Sequence, residues 1–205
     1  MQRYMRSTMP FHGVPAPAVL GVCRTRFEGI SFRSASDWSR TVRFLWRHAK
    51  FREERYATIV LTGARPAREF QTPAVLPIYE EMIRTGAWWD YVDEVAVRRL
   101  GPILRRFPGP MAAQMRSWSG SEDLWTRRSS IICQVGAGDA TDRALLFDCL
   151  EPSLGRREFF LRKAIGWALR QYARVEPSVV ADYVSRNAAR LSPLSRKEAL
   201  RRILL

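Results

Sequence analysis

The segment GAWWDYVDEV, residues 86–95, sets Trp88 and Trp89 against Asp90 and Asp93 in a chain of formal charge +14. Trp89 and Asp93 are four residues apart, so on a helix they share a face. An indole face and a carboxylate both attract positive charge, and together they could stabilise a cation. The same spacing also fits a core tryptophan with a solvated acid one turn away. Asp90 could cap the helix or pair with an arginine, and Trp88 is expected in the core. A second segment, RKAIGWALR (162–170), carries Lys163, Trp167 and Arg170 as an i, i+4, i+7 stripe. Such a stripe is ordinarily apolar towards the core. Here it reads cation, indole, cation, which suits a surface that follows a phosphate backbone and stacks on bases. In WTRRSSII (125–132), Arg127 and Arg128 point about 100° apart on a helix, so at most one easily joins a common column.

The whole chain bounds these readings. Its 34 basic residues outnumber 20 acidic ones, and only Lys50, Lys163 and Lys197 are lysines. Arginine use at that level fits the codon usage of a GC-rich genome. It also suits phosphate recognition, because the guanidinium fork grips an oxyanion with two hydrogen bonds. A pI of about 10.9 points to a polyanionic partner, with nucleic acid ahead of a membrane surface. An apolar content of 46% and seven tryptophans are too hydrophobic for a disordered chain, and 205 residues suit one domain, 1–205. Cys23, Cys133 and Cys149 show no CxxC spacing and cannot all pair, so they read as buried thiols of a reducing cytoplasm. Two histidines, His12 and His48, support neither a zinc cage nor a histidine triad. No signal-peptide core is present, and no run approaches the roughly 20 apolar residues of a membrane span.

The elements that must position these side chains are helices. FFLRKAIGWALRQYARV (159–175) places Phe160, Ala164, Trp167 or Ala168, and Tyr172 along one side at helical steps. Proline and glycine punctuate the chain at GVPAPA, GARPA, RRFPGPM, VGAGDATD, LEPSLG, VEPS and LSPLS. In the last, Ser195 with Glu198 three positions on reads as a helix cap and its capping-box partner. No strand is expected. Trp89, Trp125 and Phe160 recur at intervals of 36 and 35 residues, and Asp93, Arg128 and Lys163 at 35 and 35. A helical period in the mid-thirties is the signature of stacked helix pairs, whose equivalent positions line one surface. That surface would carry an acid, an arginine and a lysine, each with an aromatic residue three or four places earlier.

YMRSTMPFHGV, WWDYVD, WTRRSSI, EFFLRKAIGWALRQYA and LSPLSRKEAL resemble, in that order and over essentially the whole chain, the AlkD-type DNA alkylation repair glycosylases. FFLRKAIGWALR and WWDYVD are the specific parts of the match, and the N-terminal segment is looser. The resemblance implies an all-α fold, a right-handed α-α superhelix of HEAT-like repeats whose concave basic face holds duplex DNA. It implies hydrolysis of the N-glycosidic bond of cationic N3- and N7-alkylated purines, such as 3-methyladenine and 7-methylguanine, without base flipping. By the same resemblance Asp93 is the catalytic carboxylate. Trp89 and Trp167 are aromatic walls beside the lesion's sugar, and Arg128 is the cation that holds the adjacent backbone. Tyr4 matches a cleft tyrosine, and Arg170 fits a backbone-contacting position. Arg127, Arg162 and Lys163 complete the expected DNA-binding set. Relatives commonly carry a further helical segment before the Tyr4 motif, so the first repeat is expected to be incomplete or the assigned start late.

One carboxylate suffices for such a substrate. Glycosidases acting on neutral leaving groups use two, one of them a general acid. An N-alkylated purine already carries its charge and departs neutral. The deoxyribose then becomes cationic, and a carboxylate beside it stabilises that charge and can orient water. The expected protein is therefore a monomeric, cytoplasmic, nucleoid-associated hydrolase without metal or cofactor, acting on double-stranded DNA. The competing reading is a HEAT-like module that binds DNA or a protein without catalysis.

Overall fold

The computed structural model describes residues 2, 4, 5 and 7–203. It is all-α: the described residues form α-helices joined by short 3-10 turns, with no strand. Contacts divide the chain into two units, the first ending at Met82 and the second beginning at Ile83. None of the described helices is long and apolar enough to cross a membrane.

The first unit packs α3 (Arg52–Thr62) against α1 (Ala16–Phe27) and α2 (Ala35–His48). Trp38, Val42 and Trp46 recur at i, i+4 and i+8 and form the fully buried stripe of α2. Ser34 caps that helix by accepting a hydrogen bond from the Asp37 N–H. The segment before α1 is pinned by the buried Glu53, whose carboxylate accepts from the backbone N–H groups of His12, Gly13 and Val14 at 3.0, 3.0 and 3.2 Å. Gly13 supplies the positive φ, +82°, that this turn requires.

α4 (Leu76–Gly86) leads into the second unit. There α5 (Trp89–Val95) runs through a π-helical turn, Ala96–Leu100, into α6 (Gly101–Arg106). Pro102 explains the irregularity, since it offers no N–H to the carbonyl one turn back. That carbonyl, of Arg98, accepts instead from Arg99 Nη1 at 3.0 Å. Five helices follow: α7 (Pro108–Ser119), α8 (Leu124–Ile132), α9 (Arg143–Leu150), α10 (Phe159–Tyr172) and α11 (Pro177–Arg186). A last helix, α12 (Pro193–Leu200), closes the unit. Helices α5, α8, α10 and α12 pack side by side in that order, each on the next. Helices α6, α7 and α9 follow one another in a second layer, with α7 and α9 against α8, and α11 packs on α10 and α12.

All seven proline- and glycine-rich stretches fall at helix starts or between helices. The capping expected at the last one is displaced by three residues. Ser192, not Ser195, caps α12, accepting from the Ser195 N–H at 3.0 Å. Pro193 explains the shift: its fixed φ suits the first helical position. Ser195 is then free to donate its hydroxyl across to the Arg162 carbonyl at 2.9 Å, and Glu198 faces α10 instead of its own N-terminus. On α10 the inward face is Leu161, Ala164, Ile165, Ala168, Leu169 and Tyr172. Of the two alternatives at that step, Ala168 is the core residue and Trp167 is left half-buried.

Candidate active site

A strained turn aims the first site helix. Ala87, between α4 and α5, has φ +43°, and its N–H bonds to the Ile83 carbonyl at 3.0 Å. A left-handed non-glycine residue costs roughly 1–2 kcal/mol, a strain of the kind that functional sites retain. The turn starts α5 so that Tyr91, Val92 and Val95 are fully buried, whereas Trp89 and Asp93 keep part of their surface accessible.

Asp93 is held by the next helix of its layer. Arg128 on α8 donates Nε–H to Oδ1 and Nη2–H to Oδ2, each at 2.7 Å. Its third donor, Nη1, lies 2.6 Å from the Phe160 carbonyl at the start of α10. The side chains are 5% and 16% exposed for Arg128 and Asp93. A fork-on-carboxylate pair in this setting fixes the carboxylate plane as well as its position. Arg128 occupies two of the roughly four acceptor directions of the carboxylate, leaving the others for water or a cation. Burial pushes the Asp93 carboxyl above its ordinary pKa. The hydrogen bonds and charge of Arg128 pull it back, and the negative charge of Asp90 adds to the rise.

Behind this pair stands an aromatic cluster. Trp125 and Phe160 have ring centroids 4.9 Å apart, and Trp88 meets them at 6.0 and 5.4 Å. The Arg128 guanidinium carbon lies 5.9 Å from the Phe160 ring centre. The 35-residue interval between Trp125 and Phe160 is thus a real contact. Its third partner is Trp88, the tryptophan expected in the core, although it is Trp89 that stands at the 36-residue interval from Trp125. Trp88 is the residue before the helix and turns inward, which leaves Trp89, one turn from Asp93, at the accessible edge.

The remaining expected residues separate clearly. Arg128 joins the column and Arg127 does not. Arg127 is 5% exposed and spends its guanidinium on the carbonyls of Ser121, Pro152 and Gly120 at 2.8, 2.9 and 3.3 Å. It ties the α7–α8 turn to the end of α9 and offers no face to a phosphate, so it leaves the DNA-contacting set. Lys163 and Arg170 both reach Glu198 of α12, at 3.7 and 2.8 Å. Trp167 and Arg162 are half-buried on α10. Tyr4 lies in the first unit and is 75% exposed. Sequence reasoning missed Glu198, although a signal existed: it follows Lys163 by the same 35 residues that separate Asp93, Arg128 and Lys163.

A family model described as DNA alkylation repair enzyme matches residues 1–203. Among solved structures, the chain is similar to a predicted DNA alkylation repair enzyme from Enterococcus faecalis, with 25% identity and a TM-score of 0.84, over 99% of this chain and 92% of that one. Among curated proteins, none matches.

Proposed function

The chain belongs to the DNA alkylation repair enzyme family, and from that premise we propose that it is a monofunctional glycosylase releasing cationic N3- and N7-alkylated purines from duplex DNA. The observation that carries the reading is the Asp93 carboxylate: partly accessible, fixed in plane by Arg128, and one helical turn from Trp89. As the N-glycosidic bond breaks, the electron pair leaves with the base, neutralising the purine, and the deoxyribose becomes an oxocarbenium-like cation. Asp93 stabilises that cation and directs water to it. Trp89, and Trp167 from α10, add indole faces to the same cation, about 0.5–2 kcal/mol each. Arg128 keeps Asp93 ionised and oriented next to DNA phosphates that would otherwise repel it.

The helical layers would act as HEAT-like repeats, presenting Lys163, Arg162 and Arg170 to the backbone so that the lesion is read without flipping. Lys163 Nζ lies 3.7 Å from the Glu198 carboxylate, a pairing that a Schiff-base lyase step would have to break. The protein would act as a monomer on the bacterial nucleoid. The direct test is incubation with methylated duplex DNA and chromatography of released bases. Release of 7-methylguanine or 3-methyladenine is expected. Duplex binding without release would leave the non-catalytic binding module as the correct reading.

The raised Asp93 pKa gives the reaction a pH signature. Only the ionised carboxylate stabilises the sugar cation, so single-turnover release should rise with pH through a midpoint above the ordinary value of about 3.9. Replacing Arg128 by glutamine removes the influence that lowers this pKa and should move the midpoint higher still. A midpoint at the ordinary value, unmoved in Arg128→Gln, would identify a different titrating group. The sign for stability is opposite. A carboxyl whose pKa rises on folding destabilises the fold when ionised, and acidification through the raised pKa removes that cost.

A further inference from the structure

Asp93, Arg128, Lys163 and Glu198 stand at equal intervals of 35 residues, one on each of α5, α8, α10 and α12, the helices of one layer. The first two members pair with each other, and so do the last two. Glu198 also takes a second cation: Arg170 Nη1 lies 2.8 Å from Oε1, while Lys163 Nζ lies 3.7 Å from Oε2. Gly166 makes the arrangement possible. A Cβ there would come within 2.6 Å of Glu198 Cβ and 3.1 Å of the Ser195 carbonyl, so only glycine lets α12 seat its carboxylate this deeply between the two cations.

We propose that Glu198 is a positioning residue, an internal stand-in for phosphate that holds Lys163 and Arg170 in the arrangement with which they grip the DNA backbone on either side of Trp167. The inference rests on the glycosylase reading above. A simple tie between two helices needs one cation. Here two cations, about 10 Å apart along α10, converge on one acid. The Lys163 and Arg170 side chains are still 41% and 23% exposed, while the acid is 15% exposed. Each cation has donors beyond the one given to Glu198; on Arg170 the Nε is buried without a hydrogen-bond partner. Long cationic side chains lose rotamer freedom when they close on a ligand; Glu198 imposes that order before DNA arrives. The same carboxylate repels the backbone it helps to receive. It therefore weakens binding while sharpening the geometry around Trp167, two effects of opposite sign.

Glu198→Gln separates them, because glutamine keeps the shape that fits against Gly166. Undamaged duplex should bind more tightly at low salt, and log K against log salt should steepen by up to about 0.9, the contribution of one further phosphate contact. Single-turnover release from a 7-methylguanine duplex should slow by about tenfold or more, since small misplacements of positioning groups carry costs of that order. If Glu198 acts through Arg170, Glu198→Gln should add little to the loss already seen in Arg170→Gln. Should Glu198→Gln melt below the assay temperature, Glu198→Asp, which keeps the charge but draws it one methylene back from both cations, should slow release while duplex binding and its salt slope stay near those of the wild type. A parallel fall in binding and release, tracking the melting temperature, would mark a plain helix tie and overturn the proposal. So would unchanged release, or additive losses with Arg170→Gln. Wild-type protein that releases no base overturns the glycosylase reading and this inference together, whereas wild-type release with an unaffected variant overturns this inference alone.

Discussion

Asp93→Asn should lower single-turnover base release on the order of 10²-fold, the usual consequence of removing one charge-stabilising group, while undamaged duplex remains bound. The two outcomes diverge because Asp93 meets the sugar only after positive charge has developed there, whereas binding depends on the cations around it. Asparagine keeps the size and one carbonyl oxygen for Arg128, but its amide nitrogen then faces a guanidinium that had a carboxylate on both arms. Asparagine carries no charge to pair with the buried guanidinium, so the melting temperature is measured alongside the rate. Rates are therefore to be compared below the variant's transition, with circular dichroism confirming the helical signal. Release by Asp93→Asn at the wild-type rate would take Asp93 out of the mechanism.

The second large effect concerns the substrate. Excision should follow the charge of the lesion and be nearly indifferent to its shape. A neutral base such as uracil or 8-oxoguanine needs a proton from a general acid as it leaves. Two further acids share the helix of Asp93: Asp90, whose Oδ1 accepts from the Tyr91 N–H at 3.0 Å, and Glu94, which is turned to the exposed side and lies 3.9 Å from Arg99. Leaving groups that bring their own positive charge are thus the ones this arrangement serves. Among these, bulk should matter little if the base stays in the stack, because no pocket has to enclose it. A panel of duplexes with cationic and neutral lesions of matched size, assayed at one enzyme concentration, reads this directly. Efficient release of a neutral base would reveal a general acid and overturn the assignment of the site.

Much of this molecule is legible in its sequence. The helical class followed from the periodicity of 159–175, and the breaks followed from proline and glycine, whose backbone limits act locally wherever they stand. The pairing of Trp89 with Asp93 on one face is likewise local, because four residues make about one turn. The 35-residue recurrence of Asp93, Arg128 and Lys163 anticipated a column, and the first interval is a hydrogen-bonded pair.

What the sequence left open lay between helices. Period alone allows either Arg127 or Arg128 to join the column, and either Trp88 or Trp89 to join the aromatic cluster. The choice depends on how far each helix is rotated about its axis. The Ala87 turn decides this for α5, and the burial of Arg127 against three carbonyls decides it for α8. Glu198 looked like a local cap because Ser195 precedes it by three residues. Pro193 moved the helix start to Ser192, and Gly166 let α12 approach until that acid reached two cations on α10. Local spacing follows from the geometry of a single helix. Rotation and depth of approach follow from packing between helices, which forms only once both partners are in place.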